Sequence, residues 1–80
     1  MTAGEATRKR IMQLIEEQGI TINKLAMRSG ITQSTLNNIT SGRNNSATVS
    51  TIQKLCDGLG ISLRQFFDSE MFEDLEQEVR

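Results

Sequence analysis

The chain has 80 residues, of which 24% are charged and 36% are hydrophobic, with a formal net charge of −1. This length allows one domain, or one domain with a tail, around a thin core. With one cysteine and no histidine, the sequence excludes an internal disulfide and a zinc finger, and it removes the commonest general base. No apolar run reaches the roughly 18 residues of a membrane span. The lone cysteine fits a reducing compartment, so we expect a cytoplasmic protein. We also expect that it needs no cofactor or metal.

Charge is distributed unevenly along the chain. Residues 1–69 carry eight Lys and Arg against five Asp and Glu, a sum of +3, whereas residues 70–80 carry five acids and Arg80, a sum of −4. A mildly basic body is compatible with a nucleic-acid partner, and the acidic end forms a separate segment. Each phosphate that a protein neutralises adds ~0.9 to the salt slope, which is the steepness with which the logarithm of affinity falls with the logarithm of salt concentration. Such a body therefore predicts a modest salt dependence of binding.

Three helices are predicted in the first half of the chain: at residues 5–18, between Thr21 and Gly30, and at 33–41. Each combines an apolar stripe at helical spacing with a start or stop signal. The expected caps and stops are Gly19, Thr21, Gly30, Thr32 and Gly42. Ile31 is expected to enter the core between the second and third helices.

The second half of the chain predicts two further helices and no strand. After a polar loop at residues 43–47, Thr48 is expected to cap a fourth helix. Its apolar stripe comprises Val49, Ile52, Leu55, Cys56 and Leu59. Ser62 is expected to cap a short fifth helix in which one of Phe66 and Phe67 is buried and the other meets the tail or a partner subunit. The prediction is an all-α bundle of five helices over residues 1–68.

The acidic segment at residues 69–80 permits two interpretations. Its apolar side chains share one helical face: Met71, Phe72, Leu75 and Val79. This stripe predicts a sixth helix, capped by Ser69, that packs on its own domain or on a partner subunit. The alternative is a frayed acidic end. We favour the helix, because a solvated tail has no need of an apolar stripe.

The third predicted helix has the most informative surface. At about 100° per residue, the direction opposite the buried Leu36 and Ile39 carries only uncharged polar side chains. They are Gln33, Ser34, Asn37 and Asn38, with Ser41 further along. A purely solvated face, which is the alternative, would be better served by Glu and Lys. Because Asn and Gln amides match the edge of adenine in the major groove, this face predicts a DNA-reading surface.

Three other groups of residues invite a functional interpretation. Cys56 lies on a buried stripe and is expected to be a core thiol. The cations at residues 8–10 are expected on a solvated helix face, with a phosphate contact as the alternative. Lys24 and Arg28 are a like-charged pair four residues apart, which is unfavourable alone but favourable beside a phosphate, so at least one is expected near DNA.

Residues 8–68 resemble the lambda-repressor-like helix-turn-helix domain, the XRE or Cro-like family of phage and bacterial regulators. The resemblance lies in Leu25-Ala26, Ser29-Gly30-Ile31, Thr35-Leu36, Ile39, Gly42-Arg43, Thr51-Ile52, Lys54-Leu55, Leu59-Gly60-Ile61-Ser62-Leu63 and Phe66-Phe67. The family fold has five helices, and the second and third form the DNA-binding pair. The resemblance therefore implies that the helix at 33–41 lies in the major groove.

The resemblance also implies roles for individual residues. Contacts to base edges fall to Gln33, Ser34, Asn37 and Asn38. Contacts to the DNA backbone fall to Thr21, Asn23, Thr32, Ser41, Arg43, Asn44 and Asn45. The dimer surface falls to the fifth helix and the tail, with candidates Phe66, Phe67, Met71, Phe72 and Leu75.

Three residues depart from the family pattern. Ile22 stands where many members have a Gln that supports the third helix or touches phosphate, and Thr40 stands where a Glu pairs with the first helix. Ala47 replaces a common Pro, and the loop at 43–47 is one residue longer than in the commonest subgroup. These changes leave the fold possible but alter how the DNA backbone is held.

The expected function is sequence-specific binding of duplex DNA to regulate transcription, as a homodimer. Half-sites would lie ~10 base pairs apart, with A·T pairs at the centre of each. The alternative is an antitoxin or other interaction protein whose tail at 70–80 binds a partner protein. Deleting that tail would then abolish partner binding and leave DNA binding by the monomer. An enzyme is the least expected class, because no phosphate loop or convincing carboxylate pair is present.

Overall fold

The computed structural model describes residues 1–42 and 47–79. This part of the chain forms five α-helices and one short 3-10 helix, with no strand. The α-helices are α1 (Ala3–Gln18), α2 (Ile22–Ser29), α3 (Gln33–Thr40), α4 (Val49–Leu59) and α5 (Leu63–Phe67), and the 3-10 helix spans Glu70–Phe72. The predicted all-α fold is confirmed. Most of the loop predicted at 43–47 lies outside the described residues.

Side-chain hydroxyls cap the N-terminus of every α-helix. In each case the hydroxyl oxygen accepts a hydrogen bond from the backbone N–H three residues later, which satisfies a donor that the helix start leaves without a partner. The capping residues are Thr2, Thr21, Thr32, Thr48 and Ser62. Thr2 was not predicted: it starts α1 two residues early and forms a capping box with Glu5.

One hydrophobic core joins all five α-helices. Its buried members are Ile11, Leu14, Ile15, Leu25, Ala26, Leu36, Ile39, Ile52, Leu55, Cys56, Leu59 and Phe66. Cys56 is 1% exposed, as predicted, and burial raises the pKa of its thiol. Val49 was expected in the same stripe, but it is 67% exposed. It stands at the first position of α4, one turn before the buried part of the stripe begins at Ile52.

The α2 and α4 helices pack closely enough for their backbones to meet. A methyl group placed on Gly58 of α4 would overlap the Ser29 hydroxyl of α2, and it would lie 3.1 Å from the Ser29 backbone nitrogen. The Ser29 hydroxyl is buried and has no hydrogen-bond partner in the described part of the chain. Because α2 also packs against α3, this crossing helps to set the position of the α2–α3 pair on the rest of the domain.

Arg10 joins α1 to the end of α5. Its Nε donates a hydrogen bond of 2.7 Å to the Phe66 carbonyl, and its Nη2 donates one of 2.8 Å to the Gln65 carbonyl. Its Nη1 donates to the Gln13 side chain at 2.8 Å. The cation therefore holds backbone carbonyls at a helix C-terminus, where positive charge is favourable. The prediction of a solvated face is wrong for Arg10, although Lys9 beside it is exposed.

The predicted sixth helix is wrong. Only Glu70–Phe72 is helical, as a single 3-10 turn, and Asp74 has a left-handed φ of 53°. A helix through this segment would bring Glu70 close to Asp74, and Glu73 close to Glu76, on one face. These repulsions oppose a continued helix. The Ser69 cap was predicted correctly, since its hydroxyl accepts from the Met71 N–H at 3.3 Å.

The tail nonetheless packs on its own domain, so the alternative of a frayed end does not hold as far as Glu76. The Phe72 ring lies 4.9 Å from the Phe67 ring and 6.2 Å from the Phe66 ring, centroid to centroid. The Glu76 N–H donates to the Met1 carbonyl at 3.1 Å. Val79, further on, is 81% exposed. An aromatic contact thus replaces the predicted helical stripe.

Candidate nucleic-acid interface

The α3 helix presents the polar face that its sequence predicts. Leu36 is 0% exposed and Ile39 is 7% exposed, so both point into the core. The five residues predicted on the opposite face are all exposed: Gln33, Ser34, Asn37, Asn38 and Ser41. No charged residue occurs between Gln33 and Thr40. The helix therefore offers a surface made only of hydroxyl and amide groups.

The hydrogen bonds of α3 divide this face into two parts. The hydroxyls at its end are engaged with its own backbone: Thr40 donates to the Leu36 carbonyl at 3.1 Å, and Ser41 donates to the Asn38 carbonyl at 3.3 Å. No hydrogen bond within the described residues engages the side chains of the four predicted base-contact residues, which are Gln33, Ser34, Asn37 and Asn38. Their donors and acceptors face solvent near the start of the helix.

A threonine pair at the start of α3 was only partly predicted. The Thr32 hydroxyl accepts from the Thr35 N–H at 3.1 Å, and the two hydroxyls lie 2.8 Å apart. Thr35 is exposed beside the predicted base-contact residues. Sequence reasoning missed it as a surface group, although the repeated Thr-x-x-Thr spacing was visible. The same pairing recurs at the start of α4, where the Thr48 and Thr51 hydroxyls lie 3.0 Å apart.

The α2 helix also begins with a threonine cap, although Lys24 stands where α3 and α4 have their second threonine. The Thr21 hydroxyl accepts from the Lys24 N–H at 3.1 Å, and Asn23 is exposed beside it. Ile22 packs against the core, so this departure from the family pattern serves packing. None of α2, α3 and α4 has an acidic residue in its first turn. Their positive N-terminal ends are therefore not neutralised by their own side chains, which favours an anion outside the helix.

The exposed cations of α2 have no carboxylate neighbour in ion-pair range within residues 1–42 and 47–79. Lys24 and Arg28 are both exposed on this helix. The one ion pair of the described chain joins the Met1 ammonium to Glu76 at 3.9 Å, far from α2 in sequence and open to solvent. Positive charge on α2, which packs against α3, is thus available to an external anion.

Some predicted contacts cannot be placed on this surface. Arg43, Asn44 and Asn45, predicted to hold the DNA backbone, lie outside the described residues. Ala47, which replaces a common proline, packs against the core.

The predicted dimer residues fall into three groups. Phe66 is 0% exposed, so it supports the surface from within and offers no area to a partner. Phe67 is 41% exposed. Met71, Phe72 and Leu75 are half-buried against their own domain. An open concavity of about 630 Å³ lies beside Phe67 and is lined by Leu63, Arg64, Phe67 and Asp68.

Comparisons with known proteins bear on this geometry. A family model described as helix-turn-helix matches residues 11–66. A search of curated proteins found no match. Among solved structures, the crystal structure of the prophage Lp1 protein 11 is similar, with a TM-score of 0.77 and 43% sequence identity. The match covers 86% of this chain and 91% of that one.

The family match extends from α1 to α5 and so includes the exposed polar helix together with the helix that supports it. The described residues contain no helix long and apolar enough to cross a membrane. The fold, the matched residues and the related structure agree that the chain belongs to the XRE family of helix-turn-helix proteins, which are DNA-binding regulators.

Proposed function

We propose that the protein regulates transcription by binding a specific duplex DNA sequence in the cytoplasm, with α3 in the major groove. The observation that carries this proposal is the outer face of α3, which is exposed, uncharged and rich in side-chain amides without partners among the described residues. Hydroxyl and amide groups at the N-terminal end of such a helix meet base edges when it enters the groove.

Individual contacts follow from the chemistry of each group. Asn37, Asn38 and Gln33 carry amides that can bind adenine in a bidentate arrangement: the amide NH₂ donates to N7, and the amide oxygen accepts from the N6 amino group. A·T pairs are therefore proposed at the centre of each half-site. Ser34 and Thr35 add hydroxyls that suit several bases.

Backbone contacts would position the helix without adding sequence information. The N-terminus of α2, with Thr21 and Asn23, offers N–H groups to one phosphate, and Lys24 and Arg28 add charge nearby. Thr32 suits a phosphate or a thymine methyl group. The Ser41 hydroxyl already donates to the Asn38 carbonyl, so it would have to change partner in order to donate to a phosphate. Arg43, Asn44 and Asn45 remain proposed for a second backbone contact.

The test is selection from random duplex DNA at ~150 mM salt, followed by binding measurements on the selected site. Asn38→Ala is expected to cost about 1–3 kcal/mol and to relax one base position, since a bidentate amide contact is lost. Gln53→Ala is the matched control, because Gln53 is an exposed amide on α4. Three outcomes would contradict the proposal: no enriched motif, guanine in every half-site at the positions read by the amides, or equal losses of affinity in both variants.

A homodimer is proposed through the concavity on α5. Arg64 and Asp68 flank Phe67 there, so a two-fold axis can bring the cation of one subunit to the carboxylate of the other. Phe67→Glu is expected to shift sedimentation toward the monomer and to weaken binding to a two-fold symmetric site more than to a single half-site. Gln53→Glu, at an exposed position of α4 beyond its first turn, is the control for added charge. An unchanged sedimentation profile for Phe67→Glu would contradict this interface.

The antitoxin alternative has less support. The tail was expected to bind a partner through its apolar side chains, but Met71, Phe72 and Leu75 are half-buried against their own domain. A partner would have to displace the contact between Phe72 and Phe67 before it could bind them.

A further inference from the structure

The three consecutive cations at residues 8–10 have three different surroundings. Arg10 donates to the carbonyls at the end of α5, and Lys9 is exposed. Arg8 is half-buried and runs beside Gly42, just beyond the end of α3. A methyl group placed on Gly42 would lie 3.8 Å from Arg8 Nε and 3.9 Å from Arg8 Cδ. The Arg8 side chain therefore lies close to the backbone that leaves α3.

The residues that the structure describes supply only part of what the Arg8 guanidinium needs. The C-terminal end of α3 carries partial negative charge, which favours a cation nearby. No hydrogen bond or ion pair within the described residues engages the Arg8 guanidinium, in contrast to the three hydrogen bonds of Arg10. A guanidinium has five N–H donors in a planar fork, and this geometry suits a phosphate.

The proposed docking of α3 would bring such a phosphate close. The helix has eight residues and is therefore about 12 Å long, which matches the roughly 12 Å width of the major groove. If the first residues of α3 meet the bases, its last residues reach the wall of the groove, where the phosphates lie. Gly42 follows the last turn, and Arg8 lies against Gly42.

We propose that Arg8 contacts a DNA phosphate at the C-terminal end of α3, which gives α1 a backbone contact of its own. This inference rests on the proposed function. The contact adds affinity and fixes the depth of α3 in the groove, but it does not discriminate between bases. The position of Arg8 beside Gly42 places the guanidinium near this proposed phosphate before DNA arrives.

The experiment is a salt titration of DNA binding by fluorescence anisotropy, on the selected site and on a scrambled duplex. Arg8→Gln is expected to weaken binding about tenfold on both duplexes and to lower the salt slope by about 0.9. Arg8→Lys keeps the charge and is expected to keep the wild-type slope. Lys9→Gln is the matched control on the same helix and is expected to keep both the slope and the affinity. Thermal unfolding checks that each variant is folded.

Two outcomes would overturn this inference but not the proposed function. Either Arg8→Gln keeps the wild-type salt slope, or Lys9→Gln lowers the slope as much as Arg8→Gln does. Loss of preference at one base position in Arg8→Gln would also overturn it, because a phosphate contact acts on all sequences alike. Failure of the wild-type protein to bind any duplex would instead overturn the proposed function, and this inference with it.

Discussion

Replacing Phe66 with alanine is expected to lower the free energy of unfolding by about 3–5 kcal/mol. Phe66 is among the largest fully buried side chains, and it touches both Phe67 and Phe72. Its removal leaves a cavity where α5, the tail and the core meet. A domain of 80 residues has a total stability of only about 4–12 kcal/mol, so this loss removes about a quarter or more of that stability.

The neighbouring residue provides the control. Phe67→Ala removes the same atoms from a side chain that is 41% exposed, so the expected loss is below about 1.5 kcal/mol. Urea unfolding followed by circular dichroism measures both variants. Equal losses for the two phenylalanines would show that the aromatic cluster, and not burial of Phe66 in the core, supplies the stability.

Gly58→Ala is expected to lower the free energy of unfolding by about 2 kcal/mol, although alanine is a better helix former than glycine by about 1 kcal/mol. The added methyl group would overlap the Ser29 hydroxyl and lie 3.2 Å from the Arg28 carbonyl carbon. A side-chain oxygen can rotate away, but the α2 backbone cannot move without disturbing the α2–α3 pair. The substitution should therefore weaken DNA binding as well as stability.

Differential scanning calorimetry of Gly58→Ala and of two related variants tests this contact. Ser29→Ala alone is expected to be neutral or slightly stabilising, because it removes a buried hydroxyl without a partner in the described chain. In the double variant, Ser29→Ala should recover only part of the stability lost in Gly58→Ala. Recovery is incomplete because the close contacts between the added methyl group and the α2 backbone remain. A Gly58→Ala protein more stable than the wild type would mean that α2 and α4 can separate at little cost.

The Gly58 prediction concerns the support of the proposed DNA-binding surface. The side chains on the outer face of α3 make few contacts with the rest of the protein, so their position depends on how α3 is held from behind by Leu36 and Ile39. The Gly58–Ser29 crossing in turn positions α2, against which α3 packs. Variants in this support are expected to reduce affinity for all DNA sequences, whereas Asn38→Ala should alter the preference at one base.

Local features could be predicted from the sequence because their physical causes are local. A threonine or serine cap requires only a hydroxyl and the N–H three residues later, so Thr21, Thr32, Thr48 and Ser62 were identified in advance. The polar face of α3 follows from helix geometry once Leu36 and Ile39 are taken as buried. Whether these amides meet bases is a separate proposal.

The tail could not be predicted in the same way. Its apolar spacing suited a helix, but the observed conformation depends on Phe72 meeting Phe66 and Phe67, and on Glu76 meeting Met1 at the other end of the chain. Such contacts join residues far apart in sequence. Like-charged neighbours at Glu70 and Asp74 weakened the local preference for a helix, so the tertiary contacts prevailed.

The sequence by itself determined the five α-helices, four of their five N-caps, most of the buried apolar stripes and the uncharged face of α3, because each depends on neighbours within about one turn or on helical periodicity. Only the tertiary structure decided which of three adjacent cations is held by α5, which lies against Gly42 and which is exposed. The physical reason is that a long charged side chain can reach several elements, and only the packing of α1 against its neighbours decides which of them is within reach.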